Sequence, residues 1–344
     1  MKESKQSREV IHSHEETDIV EMVRGRAKRT IDKYPPSPEV SKFLDSVDFP
    51  LLRTLFTQVA SRGKVPPSDL NFVDKKNIIE WTDGLSVGQY DALENTISVV
   101  STSNPDLYLV DKEKFMAEAI QNDIETYGSV DMRLLHTLIH EESHALSKRK
   151  IVVRKKKAEN SGVIYPQKVI TRGGISCVSD ELTFLDDKGN ISGDTFDVPG
   201  MIKDGKFTVK YFGFCALNEG ITEKLAREVM LKYLEASAAP KEILGKVRIS
   251  FVNNKGSYEL EMPVLDAIIK KIAERNQQEV RVVWESIINA YLQGDDFEDE
   301  DVEQLFSETF GPDFLKELSK LPSGLSMGSK KQREALIDKY KLFS

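Results

Sequence analysis

The sequence predicts an α+β fold: a small N-terminal sheet with helices, a central helix, and a mostly helical C-terminal lobe. Three observations carry this reading. Short runs rich in β-branched residues, at Asn77 to Trp81 and around Ile97, precede a run of helix formers at Leu135 to Leu146. Apolar residues at helical spacing dominate from Leu265 to Leu318. Between them lies an interval of alternating residues and turn signals, read as β-hairpins inserted into the central unit. The 344 residues suffice for two domains or one elaborated domain, and the 40% hydrophobic content can supply a sizeable core.

Charge and cysteine content narrow the class. A formal net charge of −8 argues against general nucleic-acid binding, which calls for a basic balance. No apolar run is long enough to span a membrane. Met1 to Glu16 is polar and lacks the apolar stretch of a secretory signal. Cys177 and Cys215 do not make a disulfide framework, so a reducing cytoplasm is the expected location.

Residues 1–36 are expected to be a flexible polar segment. His12 and His14 lie within it and are read as surface histidines, and Pro35-Pro36-Ser37-Pro38 marks a linker. From Glu39 to Ser61, apolar positions such as Val40, Phe43, Leu44, Leu52, Leu55 and Val59 suggest two helices broken near Pro50. Asn77 to Trp81 reads as a short strand and Asp83-Gly84 as a turn, and Tyr90 to Val100 as a turn leading into a second strand. Lys112 to Tyr127 has a helical apolar side and ends at Gly128.

The next helix carries His-Glu-x-x-His at His140, Glu141 and His144. Ser129 or Asp131 can cap its start, and Lys148, Arg149 and Lys150 suit its C-terminal end. Its apolar residues lie on more than one side, which predicts a buried central helix. Residues four apart stack on one helix face, roughly 5–6 Å between Cβ atoms. Two imidazoles so placed can reach one Zn²⁺ at about 2.0–2.1 Å. Glu141 lies at the edge of the same face, where its carboxylate can take a proton from water at the metal. With 5 histidines in the chain, this pattern is not readily produced by chance. His136, one turn earlier, is directed elsewhere around the helix and is read as a pocket or core residue.

The basic run from Lys148 to Lys157 is read as a solvated loop or helix exit, with a docking patch for acidic partners as the alternative. Val163 to Phe212 is expected to be β structure, with strands near Val169 and near Ile175 to Val178. Turns are expected at Asp186 to Asn190 and at Lys203-Asp204-Gly205. Leu217 to Glu223 opens the next important helix, with Asn218 as its N-cap and Gly220 allowing close approach to a neighbour. Glu219 and Glu223 share one face of it. Lys246 to Glu261 is ambiguous between a hairpin and the approach to a helix running through Leu265 and Ile272. Glu279 to Leu292 is a helix ended by Gly294. Asp295 to Asp301 lacks the glycine and spacing of a calcium loop. Val302 to Leu318 is helical, and the residues after Pro322 form a tail.

A catalytic zinc needs a third protein ligand and an open position. No histidine follows His144, and Ser147 and Lys150 stand where a longer histidine motif would need Gly and His. A carboxylate is left, and Asn218-Glu219-Gly220-Ile221-Thr222-Glu223 supplies one. With these two motifs the chain resembles the gluzincin metallopeptidases, the thermolysin- and aminopeptidase-like branch of the zincins. The resemblance covers the two motif helices and the strand near Ile97. It implies one catalytic zinc ion held by His140, His144 and Glu219, with Glu141 as general base. It implies that Glu223 orients the first histidine, and that the strand near Ile97 forms a sheet edge to which an extended peptide adds, with an ordinary strand as the equal alternative. The long interval between the motifs departs from the family's shorter link. Tyr211, Tyr165 and Tyr291 are candidates to stabilise an oxyanion, although a packed role is the expectation for each.

The layout expected is therefore a zincin-like catalytic core over 37–235, with the β insertion at about 151–212. A mostly helical lobe follows over 236–322, then a tail over 323–344. The activity expected is hydrolysis of peptide bonds in a peptide or protein substrate, with no nucleic-acid or membrane partner. The alternative is a binding or scaffold protein that keeps the fold without turnover; an intact Glu141 speaks against it. A di-iron carboxylate bundle would need a second Glu-x-x-His motif beside the first, and the other occurrence, Glu9-x-x-His12, lies in the polar N-terminal segment.

Overall fold

The computed structural model describes residues 28, 30–81, 87–91, 94–101, 113–147, 150–157, 164–175, 177–181, 214–253, 261–294, 300–322 and 327–343. The architecture is α+β and mostly helical. The expected segments at His12, His14, Asp83-Gly84, Asp186 to Asn190, Lys203 to Tyr211 and 295–299 lie outside the described residues.

Two helices open the described chain, α1 (Pro38–Ser46) and α2 (Phe49–Arg62). Ser37 caps the first by accepting from the Val40 N–H at 3.3 Å, and Asp48 caps the second by accepting from Leu51 at 2.9 Å. Pro50 sits in the first turn of α2, where its missing N–H costs nothing. The break expected near it therefore falls at Val47-Asp48.

Strands β1 (Ile78–Glu80), β2 (Gly88–Asp91) and β3 (Thr96–Val99) form a sheet in the order β1-β3-β2. β3 pairs parallel with β1 and antiparallel with β2, with Ile97 opposite both Ile78 and Tyr90. The strand near Ile97 is thus central, which corrects the expectation of an edge. All four of its residues are buried, and both its backbone edges are used in pairing. Among the described strands, β2 is the edge beside the metal-motif helix. Buried Glu80 ties this sheet to its surroundings, accepting from the Ser37 N–H at 2.7 Å and bonding Ser101.

Helix α3 (Glu113–Tyr127) leads through Gly128, at φ 95°, into α4 (Val130–Leu146). Ser129 caps α4 by accepting from Met132 at 3.2 Å. From Arg133 to Leu146 every residue of α4 except His144 is buried, so the helix runs through the core. Leu134, Leu135, Leu138 and Ile139 anchor it; truncating one of them to Ala would cost about 2–5 kcal/mol.

A second sheet follows, with β4 (Lys150–Lys157), β5 (Ile164–Gly173) and β6 (Cys177–Glu181) paired antiparallel in that order. The basic run is therefore a strand and not a loop or helix exit. Ile151, Val152 and Val153 favour the extended chain, and the pairing with β5 satisfies its backbone.

Helix α5 (Cys215–Ala236) then returns alongside α4. Its start is closed by the C-terminal region: the Phe214 N–H donates to Ser319 C=O at 2.9 Å and the Ala216 N–H to Leu321 C=O at 3.4 Å. Those carbonyls satisfy donors that the first turn leaves open. Asn218 lies inside this first turn and is not the N-cap; Phe214, in the left-handed region at φ 65°, holds that position. Gly220 faces α7 (Glu261–Asn276), where a Cβ would meet Leu265 and Glu261 at an ordinary 3.5 Å. It does not mediate the approach to α4.

In the ambiguous stretch, the residues up to Val252 belong to α6 (Lys241–Val252) and Glu261 opens α7, while 254–260 lie outside the described residues. Val247 and Phe251, one turn apart, are buried, while Ile249 between them is 64% exposed. The alternation that suggested a strand is one helix face met every fourth residue. Helix α8 (Val280–Gln293) ends at Gly294 in the left-handed region, and α9 (Glu300–Phe310) and α10 (Phe314–Leu318) follow. The expected tail contains a helix, α11 (Met327–Tyr340). It is held by a buried ion pair, Arg333 to Glu261 at 3.1 Å, and by Leu336 and Leu342 in the core. One buried cluster runs from Val40 to Leu342. No helix among the described residues is long and apolar enough to cross a membrane.

Candidate metal centre

Two buried helices that cross with one face each turned inward bring the histidines and the carboxylates together. From α4 come His140, Glu141 and His144; from α5 come Glu219 and Glu223. Glu219 Oε2 lies 3.4 Å from His140 Nε2 and 3.4 Å from His144 Nε2. This is longer than a well-formed N–H···O bond of about 2.7–3.2 Å. A tetrahedral ion with ligands at about 2.0–2.1 Å would set its ligand atoms about 3.3–3.4 Å apart. One ligand atom from each of His140, His144 and Glu219 falls within a 4.8 Å cluster. This His-His-Glu group could hold a metal ion. His140 is 3% exposed, while His144 and Glu219 keep 22% and 24% of their side chains open; the facing atoms His140 Nε2 and Glu219 Oε2 are themselves buried.

The other ring nitrogens are held as well. His140 Nδ1 lies 3.1 Å from Glu223 Oε2, and His144 Nδ1 lies 3.3 Å from Thr222 Oγ1. Partners on both Nδ1 atoms leave both Nε2 atoms facing Glu219, the arrangement in which outer hydrogen bonds fix the imidazole tautomer. Glu223 is fully buried and shared. Its carboxylate also stands 3.2 Å from His136 Nε2 and accepts from Arg227 Nε at 2.6 Å. Arg227 in turn donates to Phe251 C=O at 3.2 Å, and His136 stacks on Tyr127 with centroids 4.5 Å apart. His136 is thus a buried partner of Glu223. Its i, i+4 relation to His140 is the signal in the sequence that places both rings on one carboxylate. Arg227, four residues after Glu223, carries the same kind of signal.

Thr222 extends the support of His144. Its hydroxyl lies 2.7 Å from Tyr291 Oη, which donates to Ser143 C=O at 3.2 Å. Tyr291 is therefore packed, tying α8 to both motif helices. The side chain of Tyr165 and the whole of Tyr211 lie outside the described residues.

Electrostatics follow from this crowding. Burial alone would lower the His140 pKa, but the Glu219 and Glu223 carboxylates outweigh it and push it up to about 10. For Glu219, burial opposes ionisation, yet His144 and His140 hold its carboxyl far below the usual range. Glu223 is likewise held well below it, by His136, His140 and Arg227 against the cost of burial. The cluster is built to hold positive charge.

Glu141 differs. Burial pushes its carboxyl up, and Glu219 adds to this; the two histidines and a backbone bond from Tyr90 pull it back. It lies against edge strand β2. A Cβ built on Gly88 would come 2.4 Å from Thr137 Cγ2 and 2.9 Å from Glu141 Oε1, so only a glycine lets the strand pass this close. Glu142, the next residue, turns away and accepts from the Val73 N–H at 3.0 Å.

No protein-family model, curated protein or solved structure matches this chain.

Proposed function

We propose that this chain is a zinc-dependent peptidase of gluzincin type, hydrolysing peptide bonds with Glu141 as general base. The observation that carries the reading is the position of Glu219 Oε2, 3.4 Å from the Nε2 atoms of both motif histidines, with Glu141 beside them. Two nitrogens and one carboxylate oxygen are a donor set that zinc accepts, leaving a fourth position open. His140, His144 and Glu219 would hold the ion. When bound, it would polarise the scissile carbonyl and make water more acidic.

The remaining roles belong to the chain itself. Glu141, its carboxyl raised by burial, would take the proton of the attacking water and deliver it to the departing amine. Glu223 and Thr222 would keep the two rings from turning. Edge strand β2 passes directly over Glu141, and an extended peptide pairing with its backbone would lie across the base. This moves the role expected of the strand near Ile97 to its neighbour.

The test is Glu141→Gln. The amide is not among the three candidate ligands, so the variant should retain about one zinc per chain while losing cleavage of a peptide that the parent cuts. Equal rates in the two proteins would refute the mechanism. A parent that binds zinc but cuts nothing in broad peptide libraries would point to a binding protein instead.

A further inference from the structure

The turn between β5 and β6 is seated directly against the helix that carries Glu219. Asn218 makes a two-way bond with it: Oδ1 accepts from the Ile175 N–H at 2.9 Å, and Nδ2 donates to Ile175 C=O at 2.9 Å. Nδ2 also donates to Phe214 C=O at 3.1 Å, so the same amide closes the first turn of α5. Ile175 is completely buried. Gly174 adopts φ 64°, and a Cβ there would stand 2.3 Å from Asn218 Oδ1 and 2.9 Å from Tyr291 Cε2. The turn backbone therefore lies flush on Asn218 and on the Tyr291 ring. Tyr291 holds Thr222, and Thr222 holds His144 Nδ1.

We infer that the Gly174-Ile175 turn is a positioning element of the metal centre, bracing Glu219 through Asn218 and His144 through Tyr291 and Thr222. The inference rests on the metal-binding reading of His140, His144 and Glu219. It assigns the hairpin segment a task at the site itself: two of three candidate ligands are fixed from the side on which the turn sits. Asn218 and Gly174 are positioning residues and contribute no ligand atom in this arrangement. The contact needs a residue that tolerates positive φ and has no side chain at 174, and an amide that donates and accepts at 218.

Co²⁺ is the probe, because its visible absorption reports coordination geometry and chelator competition gives its affinity. Gly174→Ala should weaken Co²⁺ binding about 10-fold or more and alter the absorption bands, the size of effect typical of residues that orient ligands. Gly311→Ala is the control. Gly311 also has positive φ, at 89°, but a Cβ there meets nothing within 4 Å, so it adds backbone strain away from the site. It should leave affinity and spectrum unchanged. Tyr291→Phe keeps the ring and removes the hydroxyl, so it tests the path to His144 even if Gly174→Ala does not fold. It too should weaken Co²⁺ and shift the spectrum, and combined with Gly174→Ala the losses should be less than additive. Parent-like affinity and spectrum in Tyr291→Phe, or in folded Gly174→Ala, would overturn the inference while leaving the metal reading intact. A parent protein that binds no Co²⁺ or Zn²⁺ would overturn both.

Discussion

His140 Nδ1 lies 3.1 Å from Glu223 Oε2, while its Nε2 faces Glu219 Oε2 at 3.4 Å. One imidazole is thus held between two carboxylates of the same helix, one turn apart. The two are not equivalent. Glu219 is partly open and faces both motif histidines; Glu223 is buried and already engaged by His136 and Arg227.

This asymmetry sets the order of two variants. Glu219→Ala should empty or severely weaken the site, because it removes a candidate ligand. Glu223→Gln preserves shape in a buried network and should weaken zinc by about 10–100-fold, the range for an outer partner. Chelator competition on folded variants decides. The reverse order of affinities would transfer the ligand role to Glu223.

Gly88→Ala should disable the base without emptying the site. Its Cβ would collide with Thr137 and press on Glu141, neither of which is among the candidate ligands. A displacement of about 1 Å at a reacting group can cost 10²-fold. Peptide turnover should fall by about that factor while zinc content stays near that of the parent. Parent-like turnover would show that β2 does not set the position of Glu141.

Glu142 should make stability depend on pH. Burial pushes its carboxyl up to about 8 from 4.5, with the Val73 N–H and Arg53 opposing. Below about 4.5 it is protonated both folded and unfolded. Between 4.5 and 8 the unfolded chain gives up the proton while the folded chain keeps it, so stability falls as pH rises through this window. Each unit of such a difference is worth about 1.4 kcal/mol. Glu142→Gln keeps an acceptor for Val73 and removes the ionisation. Its Tm should therefore exceed that of the parent by an amount that grows from pH 5 to pH 8.5. Parallel Tm curves would reject the assignment.

Arg333→Ala should destabilise the fold by about 3–5 kcal/mol, because it removes a buried ion-pair partner of the Glu261 carboxylate. Denaturant unfolding measures this. A loss within about 0.5 kcal/mol, as at an ordinary surface site, would show that α11 is not anchored there.

Much of this was legible in the chain itself. The 3.6-residue period placed His140 and His144 on one face, and Glu219 and Glu223 on another, because intrahelical spacing is a local property. Ser129 as a cap, Gly294 as a helix end and the burial of α4 follow from equally local rules. Other assignments depended on what lay across the gap. Asn218 has the chemistry of an N-cap, but Phe214 and the carbonyls of Ser319 and Leu321 close the helix, freeing the Asn218 amide for Ile175. Ile97 reads as a strand whichever neighbours it has; only pairing on both sides made that strand central. Val247, Ile249 and Phe251 alternate as a strand would, yet burial of Val247 and Phe251 on one helix face decided the matter. Arg333 looks like part of a basic tail until Glu261, 72 residues earlier, stands opposite it. His136 and Tyr291 take their roles only because Glu223 and Thr222 arrive beside them from another helix, whereas Arg227 stands one turn from Glu223 on the same helix. The sequence by itself determined which residues share a helix face, since that depends on the turn of the backbone. Only the tertiary structure decided which polar groups satisfy one another, since a buried donor takes whatever acceptor the packing brings within reach.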